Sequence, residues 1–117
     1  MLITKELLPG TLDMLILRSV SRDPKHGYGI AQWLEETSRD LLRIEQGSLY
    51  PALYRMEEKG WIRAKWGITD LGRKAKFYSL TARGRDQLEL ETQGWGRLVE
   101  AISLILQRIA DKALPDG

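Results

Sequence analysis

The sequence contains no cysteine and a single histidine, and these shortages exclude several classes of protein at once. Without cysteine the chain has no disulfide, no thiolate metal site and no thiol nucleophile. No apolar run approaches the ~20 residues needed to span a bilayer. The first ten residues lack the basic end, the longer apolar stretch and the small-residue cleavage site of a signal peptide. We therefore expect a cytoplasmic protein that uses no metal and no cofactor.

The residues that catalysis requires are also scarce. His26 stands alone, and a turn-capping role suits it better than a metal site. The turn Gly27-Tyr-Gly29 lacks the third glycine of a dinucleotide-binding loop, because Gln32 occupies that position. The pairs Glu35-Glu36 and Glu57-Glu58 are adjacent on predicted helices, so their carboxylates point in different directions. With no set of nucleophile, base and orienting group, the chain is not expected to be an enzyme.

Charge is unevenly distributed along the 117 residues. With 43% hydrophobic and 29% charged residues, the chain has the composition of one globular domain with a modest core. Residues 39–85 carry 11 basic and 5 acidic side chains, whereas the segments on either side are net acidic. A basic middle is expected of a protein that binds a polyanion. A solvated basic face is the alternative, and charge alone does not decide between them.

Apolar residues at helical spacing predict three short helices in the first half of the chain. The first follows Pro9-Gly10, with Thr11 as its cap, and ends before Pro24. The second runs from Ile30 to about Thr37. The third runs from about Gln46 to Lys59 and stops at Gly60, a residue suited to the position after a helix.

The third helix has two contrasting faces. On a helical wheel the apolar residues cluster on one side: Leu49, Ala52, Leu53 and Met56. The opposite side contains Gly47, Tyr50, Pro51, Tyr54 and Arg55. Two tyrosines and an arginine opposite an apolar face are unusual for simple solvation. They suit a helix that lies against another surface.

The periodicity then becomes alternating, which predicts a β-hairpin. Trp61–Trp66 forms the first strand, 69–72 the turn, and Arg73–Leu80 the returning strand. Basic residues crowd this hairpin. Three helices followed by a basic hairpin indicate a winged helix-turn-helix, a mainly α (α+β) fold with a two-stranded wing.

The last third of the chain predicts one long helix from Thr81, as its cap, to about Ala113. At ~1.5 Å per residue it is roughly 50 Å long, whereas the preceding 80 residues form a globule only about 30 Å across. The helix therefore extends past its own domain, and a second copy of the chain is the simplest partner. We assign 1–80 to a DNA-binding domain and 81–117 to a dimerisation helix and tail. The apolar stripe for dimerisation comprises Leu88, Trp95, Leu98, Val99, Ile102, Ile105, Leu106 and Ile109.

Several motifs, taken together and in order, resemble the PadR family of transcriptional regulators. They are Leu7-Leu-Pro-Gly-Thr-Leu-Asp13, His26-Gly-Tyr-Gly-Ile30, Gly47-Ser-Leu-Tyr-Pro-Ala-Leu53, Glu57-Glu-Lys-Gly60, Trp66-Gly67 and the wing from Arg73 to Gly84. The match covers residues 2 to about 85. It departs at Ile68 and Leu71, where polar wing-turn residues are expected, and at Phe77, where many members carry tyrosine.

The resemblance implies a homodimer that binds double-stranded DNA at a palindromic operator and represses neighbouring genes, transporter or efflux genes among them. Such a protein is cytoplasmic, and nucleoid-associated when bound to DNA. Ser48 serves equally well as a contact or as a helix cap. The residues expected to contact DNA are Gln46, Ser48, Tyr50, Tyr54, Arg55, Lys65, Arg73, Lys74 and Lys76.

Two glycines flank Trp95 on the long helix, although each costs about 1 kcal/mol against alanine in a helix interior. One interpretation is packing relief around a bulky indole. The other is a flat cavity at the dimer interface, in which Trp95 stacks on a planar aromatic ligand between Leu98, Val99 and Ile102. Members of the family that bind drugs similarly place an aromatic residue near this position.

Two other functions compete with that of a PadR-like repressor. One is a winged-helix protein-interaction module without DNA affinity, against which the basic wing argues. The other is a regulator of another winged-helix family, such as the multiple-antibiotic-resistance regulators. Those chains are longer and usually carry helices on both sides of the winged domain.

Overall fold

A computed structural model describes the backbone of residues 10–113 and the side chains of residues 10–108. The protein has the predicted winged helix-turn-helix fold. The three short helices, the hairpin and the long final helix are present in the predicted order. Within the described residues the elements are α1 (Thr11–Ser19), β1 (Lys25–His26), α2 (Gly27–Thr37), α3 (Gln46–Glu58), β2 (Ile62–Ile68), β3 (Lys74–Leu80) and α4 (Ala82–Ala113).

Helix α1 starts through backbone geometry and is stabilised at its end by a lysine side chain. The prediction that Thr11 caps it was wrong: Gly10 is the N-cap at φ 87°, and no side chain caps the helix. Glycine adopts this left-handed conformation without the steric cost that a Cβ imposes. At the other end, the Lys25 ammonium donates a hydrogen bond to the Ser19 carbonyl over 2.6 Å. A cation at a helix C-terminus is favourable because carbonyl dipoles converge there.

Helix α2 begins at Gly27, three residues earlier than predicted. What the sequence indicated as a glycine turn is the first turn of the helix. His26 is the N-cap, and its Nδ1 accepts a hydrogen bond from the Gly29 amide over 3.2 Å. The capping role predicted for this histidine is confirmed.

The wing belongs to a three-stranded antiparallel sheet with the order β1-β3-β2. The hairpin register pairs Ile62 with Leu80 and Lys65 with Phe77, and the first strand continues two residues past the predicted end at Trp66. Strand β1, which was not predicted, pairs His26 with Phe77. This pairing ties the wing to the start of α2 and fixes its position beside the helices.

The residues that follow α3 lie in contact with the start of α4. Gly60, at φ 76°, closes α3 while the Trp61 amide donates to the Met56 carbonyl, as in a Schellman motif. The Thr81 hydroxyl oxygen accepts from the Gly84 amide, which confirms Thr81 as the cap of α4. A Cβ on Gly84 would lie 1.9 Å from the Trp61 carbonyl oxygen. Only glycine permits this close approach.

The core lies between the helices and the inner face of the sheet, with Ile16, Leu17, Ile30, Leu49 and Leu53 fully covered. Leu88, assigned from the sequence to the dimerisation stripe, is only 8% exposed and packs in this core. Leu88 does not belong to the exposed stripe, because the first turns of α4 lie against α1 and the chain itself covers the leucine side chain.

Helix α4 extends far beyond the core, as its predicted length implied. The protein measures 64 Å along its longest axis but only 29 and 22 Å along the others. The helix has 32 residues. Within the described range, none of the helices is long and apolar enough to span a bilayer.

Candidate nucleic-acid interface

Helix α3 presents the two faces that its sequence predicted. Leu49, Ala52, Leu53 and Met56 are buried. Gly47, Tyr50, Pro51, Tyr54 and Arg55 are exposed on the opposite side. In a winged helix-turn-helix this is the helix that enters the major groove. Ser48 is the third residue of α3, whose N-cap is Glu45, so Ser48 is not the cap and is free to serve as a contact.

A cleft of about 750 Å³ lies between the start of α2, helix α3 and the wing. Aromatic and basic side chains line it together with one acidic residue, Asp70, at the wing turn. Tyr28 and Tyr50 lie on the helical side, while Arg73, Lys74 and Lys76 lie on the wing. Such a combination suits a sugar-phosphate strand, because cations attract the phosphates while tyrosine supplies hydroxyl donors and an apolar ring.

One close approach at glycine lies in the cleft and a second lies beside it on the wing. A Cβ on Gly27 would lie 2.7 Å from the ring and hydroxyl of Tyr50, so the absence of a side chain lets that tyrosine lie over the start of α2. On the wing, a Cβ on Gly67 would lie 2.9 Å from the ring of Phe77. Phe77 also packs edge-on against His26, with 5.2 Å between ring centroids. The Tyr50 ring therefore lies against the start of α2, and Phe77 of the wing packs against the same end of α2.

The register of the wing divides its basic residues between two faces. Lys76 pairs with Trp66 across the hairpin, and Lys74 lies two residues before it, so both share the inner face that leads into the cleft. Lys65 pairs with Phe77 on the other face and does not line the cleft. Lys76 also lies 3.6 Å from the Glu57 carboxylate, a half-exposed ion pair at the edge of α3.

Arg55 has a partner inside the protein that the sequence did not reveal. Its guanidinium lies 2.5 Å from the carboxylate of Asp13 on α1. Asp13 is only 8% exposed, so the arginine compensates a nearly buried charge. The pair joins the recognition helix to α1, and a phosphate would have to compete with it for Arg55.

Tyr54 lies outside the cleft and is 69% exposed. A hydrogen bond with the Glu58 carboxylate raises the pKa of its phenol, and the charges of Glu58 and Glu57 act in the same direction. Its hydroxyl therefore remains protonated and has an acceptor one helical turn away. Tyr50, by contrast, faces the basic wing.

The structure adds three residues to the interface that the sequence analysis missed. Tyr28, Gln32 and Trp66 line the cleft, and both aromatic side chains are more than 60% exposed. Tyr28 was assigned to a turn because α2 was predicted to begin at Ile30, and Gln32 lay inside the predicted helix but was considered only as part of a dinucleotide-binding loop. Once the helix starts at Gly27, the two residues lie four apart and share one of its faces.

The distal part of α4 has an apolar stripe that the described residues of its own chain do not cover. Trp95, Leu98, Val99, Ile102, Ile105 and Leu106 are 41–62% exposed. The side chain of Ile109, the last residue of the predicted stripe, lies outside the described residues. A Cβ on Gly94 or Gly96 would meet no atom of the described residues within 4 Å, so packing against that part of the chain does not require these glycines.

Trp95 and Leu98 also line a small groove that runs between α4 and the start of α1. The other predicted ligand walls, Val99 and Ile102, do not line it; Thr11 and Met14 of α1 do. Elsewhere in the described chain, no group of three or more histidine or acidic residues is arranged to hold a metal ion.

A recognition helix and a basic wing around one cleft define a DNA-binding winged-helix protein. The PadR-like family of transcriptional regulators matches residues 16–90, and the chain belongs to this family. Regulators of this family bind DNA and are not enzymes. The resemblance given by the sequence motifs is thereby confirmed.

Solved structures and a curated relative extend the comparison. A PadR-like regulator from Bacillus cereus is 32% identical, with a TM-score of 0.72 over 84% of this chain and 93% of that one. A PadR-family regulator from Clostridium difficile is 31% identical, with a TM-score of 0.72 over 83% and 99% of the two chains. A transcriptional regulator of Mycobacterium tuberculosis is 31% identical over 84 residues, 72% of this chain and 75% of its own.

Proposed function

We propose that this protein is a homodimeric repressor that binds a palindromic operator and controls neighbouring genes, transporter or efflux genes among them. The observation that carries the proposal is the cleft between α3 and the wing, where exposed aromatic rings face three cations. A protein-interaction module has no need for cations concentrated beside a recognition helix.

In this proposal α3 enters the major groove and the wing contacts the adjacent backbone. Gln46, Ser48, Tyr50 and Tyr54 supply contacts from the exposed face of the helix. Arg73, Lys74 and Lys76 bind phosphates across the cleft, with Tyr28 and Gln32 on its other side. Arg55 and Lys65 contribute less, since Asp13 engages the first and the second lies on the outer face of the wing.

Dimerisation gives the operator its symmetry. Residues 1–80 form the DNA-binding unit and 81–117 the dimerisation unit, although the first turns of α4 pack in the core of the former. Contact between two copies of the distal stripe would cover apolar side chains that one chain leaves exposed. A two-fold dimer then requires half-sites roughly 34 Å, or about 10 base pairs, apart, or a multiple of that spacing.

An effector would act at the same helix. A planar aromatic molecule stacked on Trp95 near the dimer contact relieves repression if it favours a dimer geometry in which the two α3 helices no longer match the half-sites. The exposed indole and the open space beside Gly94 support a ligand at this position.

Footprinting on DNA upstream of the gene and its neighbours tests the proposal. We expect two protected half-sites one helical turn apart, or a multiple, and weaker binding of a scrambled sequence. Tyr54→Ala, on the exposed face of α3 outside the cleft, should reduce the difference between operator and scrambled DNA. The matched control is Tyr28→Ala, which removes a ring of the same size from the cleft where the sugar-phosphate strand is proposed to lie. This variant should weaken the binding of both DNAs alike.

Two outcomes would contradict the proposal. Uniform, sequence-independent protection would show a non-specific DNA-binding protein. No DNA binding at low salt would favour the protein-interaction module, because basic residues that contact DNA bind most strongly when few ions compete.

A further inference from the structure

The wing projects from the core and ends in apolar side chains. Ile62 at its base is 1% exposed, whereas Trp66, Ile68 and Leu71 are 63%, 64% and 84% exposed. Strand β2 has seven residues, so it spans roughly 20 Å at about 3.3 Å per residue. Isolated exposed apolar residues are common, but three large ones at the end of one hairpin form a surface that a partner would cover. We call residues 66–76 the wing tip.

The turn that presents Leu71 is closed by hydrogen bonds. The Thr69 amide donates to the Arg73 carbonyl, and the Gly72 amide donates to the Thr69 carbonyl, both over 2.8 Å. The Thr69 hydroxyl oxygen also accepts from the Arg73 amide over 3.2 Å. Because the turn is already ordered, little conformational entropy is lost when Leu71 enters a partner.

Cations share the inner face of the hairpin with the apolar side chains. Lys74 lies opposite Ile68 in the register. Lys76 lies opposite Trp66 in the same way. Since side chains alternate along a strand, all four belong to one face. That face therefore places a cation beside each of the two apolar side chains.

The charge of the wing tip as a whole is positive. Arg73 lines the cleft together with Leu71. Asp70 lines the cleft as well, and it also lines a second groove, of about 400 Å³, beside α2. Residues 66–76 carry three basic side chains and this one acidic side chain. The apolar surface is therefore part of a segment that is attracted to a polyanion.

The minor groove of duplex DNA fits a surface of this kind. The groove is about 6 Å wide, and phosphates form its rims. Proteins that bend DNA insert an apolar side chain between base steps in this groove, while neighbouring polar and basic groups contact the phosphates. With α3 in the major groove, a hairpin that extends roughly 20 Å from the core crosses one backbone strand and reaches the adjacent minor groove.

A membrane surface also accepts apolar and basic side chains, but the position of the wing tip favours DNA. Trp66 and Leu71 both line the cleft beside the recognition helix. The apolar surface is thus continuous with the surface that faces the sugar-phosphate strand. A bilayer would cover the wing tip without any role for Tyr50 or the rest of the cleft.

We propose that Leu71 enters the minor groove beside each half-site as an apolar wedge and bends the operator there. Trp66 and Ile68 pack against the sugars, and the cations bind the phosphates on the rims. The inference rests on the DNA binding of the proposed function and adds a distortion that charge contacts alone do not require. The operator should then favour a flexible pyrimidine–purine step at the point of insertion, because such a step unstacks at a lower cost than a stiff A-tract.

Fluorescence energy transfer between the two ends of an operator duplex tests the proposal on the full-length protein. Wild type should bring the ends closer, with a bend of at least about 20° at each wedge. Leu71→Ser should remove most of the bend, because a small polar side chain does not hold two base pairs apart. Leu71→Met keeps the size and apolar character of the wedge and should keep the bend. Leu90→Ser is the matched control, since this leucine is 63% exposed on α4 and does not line the cleft.

Operator variants locate the wedge, with each step at the edges of the footprint replaced in turn. Wild type should bind an operator with a TA step at the insertion point about tenfold more tightly than one with an A-tract there. Leu71→Ser should lose this preference and bind the A-tract operator within about twofold of wild type. A straight operator in the wild-type complex, or an equal bend with Leu71→Ser, would overturn the proposal. Straight DNA, together with sedimentation on anionic phospholipid vesicles that Leu71→Ser loses, would overturn it in favour of a membrane surface.

The inference and the proposed function fail in different ways. An operator that is bound specifically but stays straight contradicts the wedge and leaves the repressor intact. No binding of any DNA contradicts both.

Discussion

The winged-helix part of the molecule and the distal half of α4 differ in how their apolar side chains are covered. In the first, Ile16, Leu49 and Met56 have no exposed surface. In the second, Ile105 and Leu106 remain about 60% exposed. The winged part is therefore stable through contacts within one chain, whereas the distal helix leaves exposed an apolar surface that a second copy would cover in the proposed dimer. Substitutions in the winged part should therefore change the stability of one chain, whereas substitutions in the distal half of α4 should change assembly.

Gly84→Ala should have the largest effect of these substitutions, because its Cβ would overlap the Trp61 carbonyl, a backbone group that cannot move aside. Overpacking in a core typically costs about 1–3 kcal/mol, and we expect at least the upper end of that range here. Urea unfolding measures it. Gly96→Ala is the control: it lies in open space and should stabilise the helix by up to about 1 kcal/mol. Similar stabilities for the two variants would refute the close approach.

Ile102→Asp combined with Ile105→Asp should abolish the dimer, because a second copy would bury two charges without partners. Sedimentation of the wild type should give a dimer at tens of micromolar, and the double variant a monomer or insoluble protein. Leu104→Asp is the matched control, since this exposed leucine lies on the opposite side of α4 and should leave the dimer intact. A wild-type monomer would contradict both the dimer and the two-fold operator.

Arg55→Ala should destabilise the single chain by about 1–3 kcal/mol, because it leaves the nearly buried Asp13 carboxylate without its partner. Asp13→Asn combined with Arg55→Ala should recover part of that loss, since no unpaired charge remains. Chemical denaturation of the two variants measures the difference. No recovery in the double variant would mean that Arg55 acts through packing of its side chain and not through the ion pair.

Glu91→Gln should make the smallest change, a gain in stability at neutral pH. Burial raises the pKa of Glu91, so its ionised form is disfavoured in the folded protein. The stability associated with the neutral carboxyl is present at low pH and lost as the pH rises through that raised pKa. Wild type and variant should therefore converge as the pH falls below the ordinary value of 4.5. A constant difference in melting temperature across this range would exclude titration of Glu91 as the cause.

The sequence predicted the elements in which the apolar repeat continues over many residues. The faces of α3 and the extent of α4 follow from apolar spacing over three or more turns. Strand β1 could not be predicted because two residues carry no period, and its pairing with β3 depends on a contact 51 residues away in the chain. The same limit applies to the site. Arg55 looks like a surface arginine until α1 brings Asp13 beside it, 42 residues away.

The interface illustrates a second limit. Sequence alternation separated Lys65 from Trp66 on the first strand, but it gave no reason to treat Lys65 and Lys74 differently as DNA contacts. That distinction needs the register of the hairpin and the position of α3. Likewise, Glu91 occupies a stripe position that the heptad pattern could have revealed, yet only the α1–α4 groove shows that one of its oxygens lacks a donor.

The salt dependence of operator binding tests the central claim most directly, that the cleft between α3 and the wing holds the DNA backbone. Lys74→Ala removes two phosphate contacts per dimer, so the slope of log K against log salt should flatten by about 1.8, at roughly 0.9 per phosphate. Lys65→Ala removes the same charge from the other face of the same hairpin and should change the slope far less. An unchanged slope in Lys74→Ala, or an equal change in the two variants, would contradict the account.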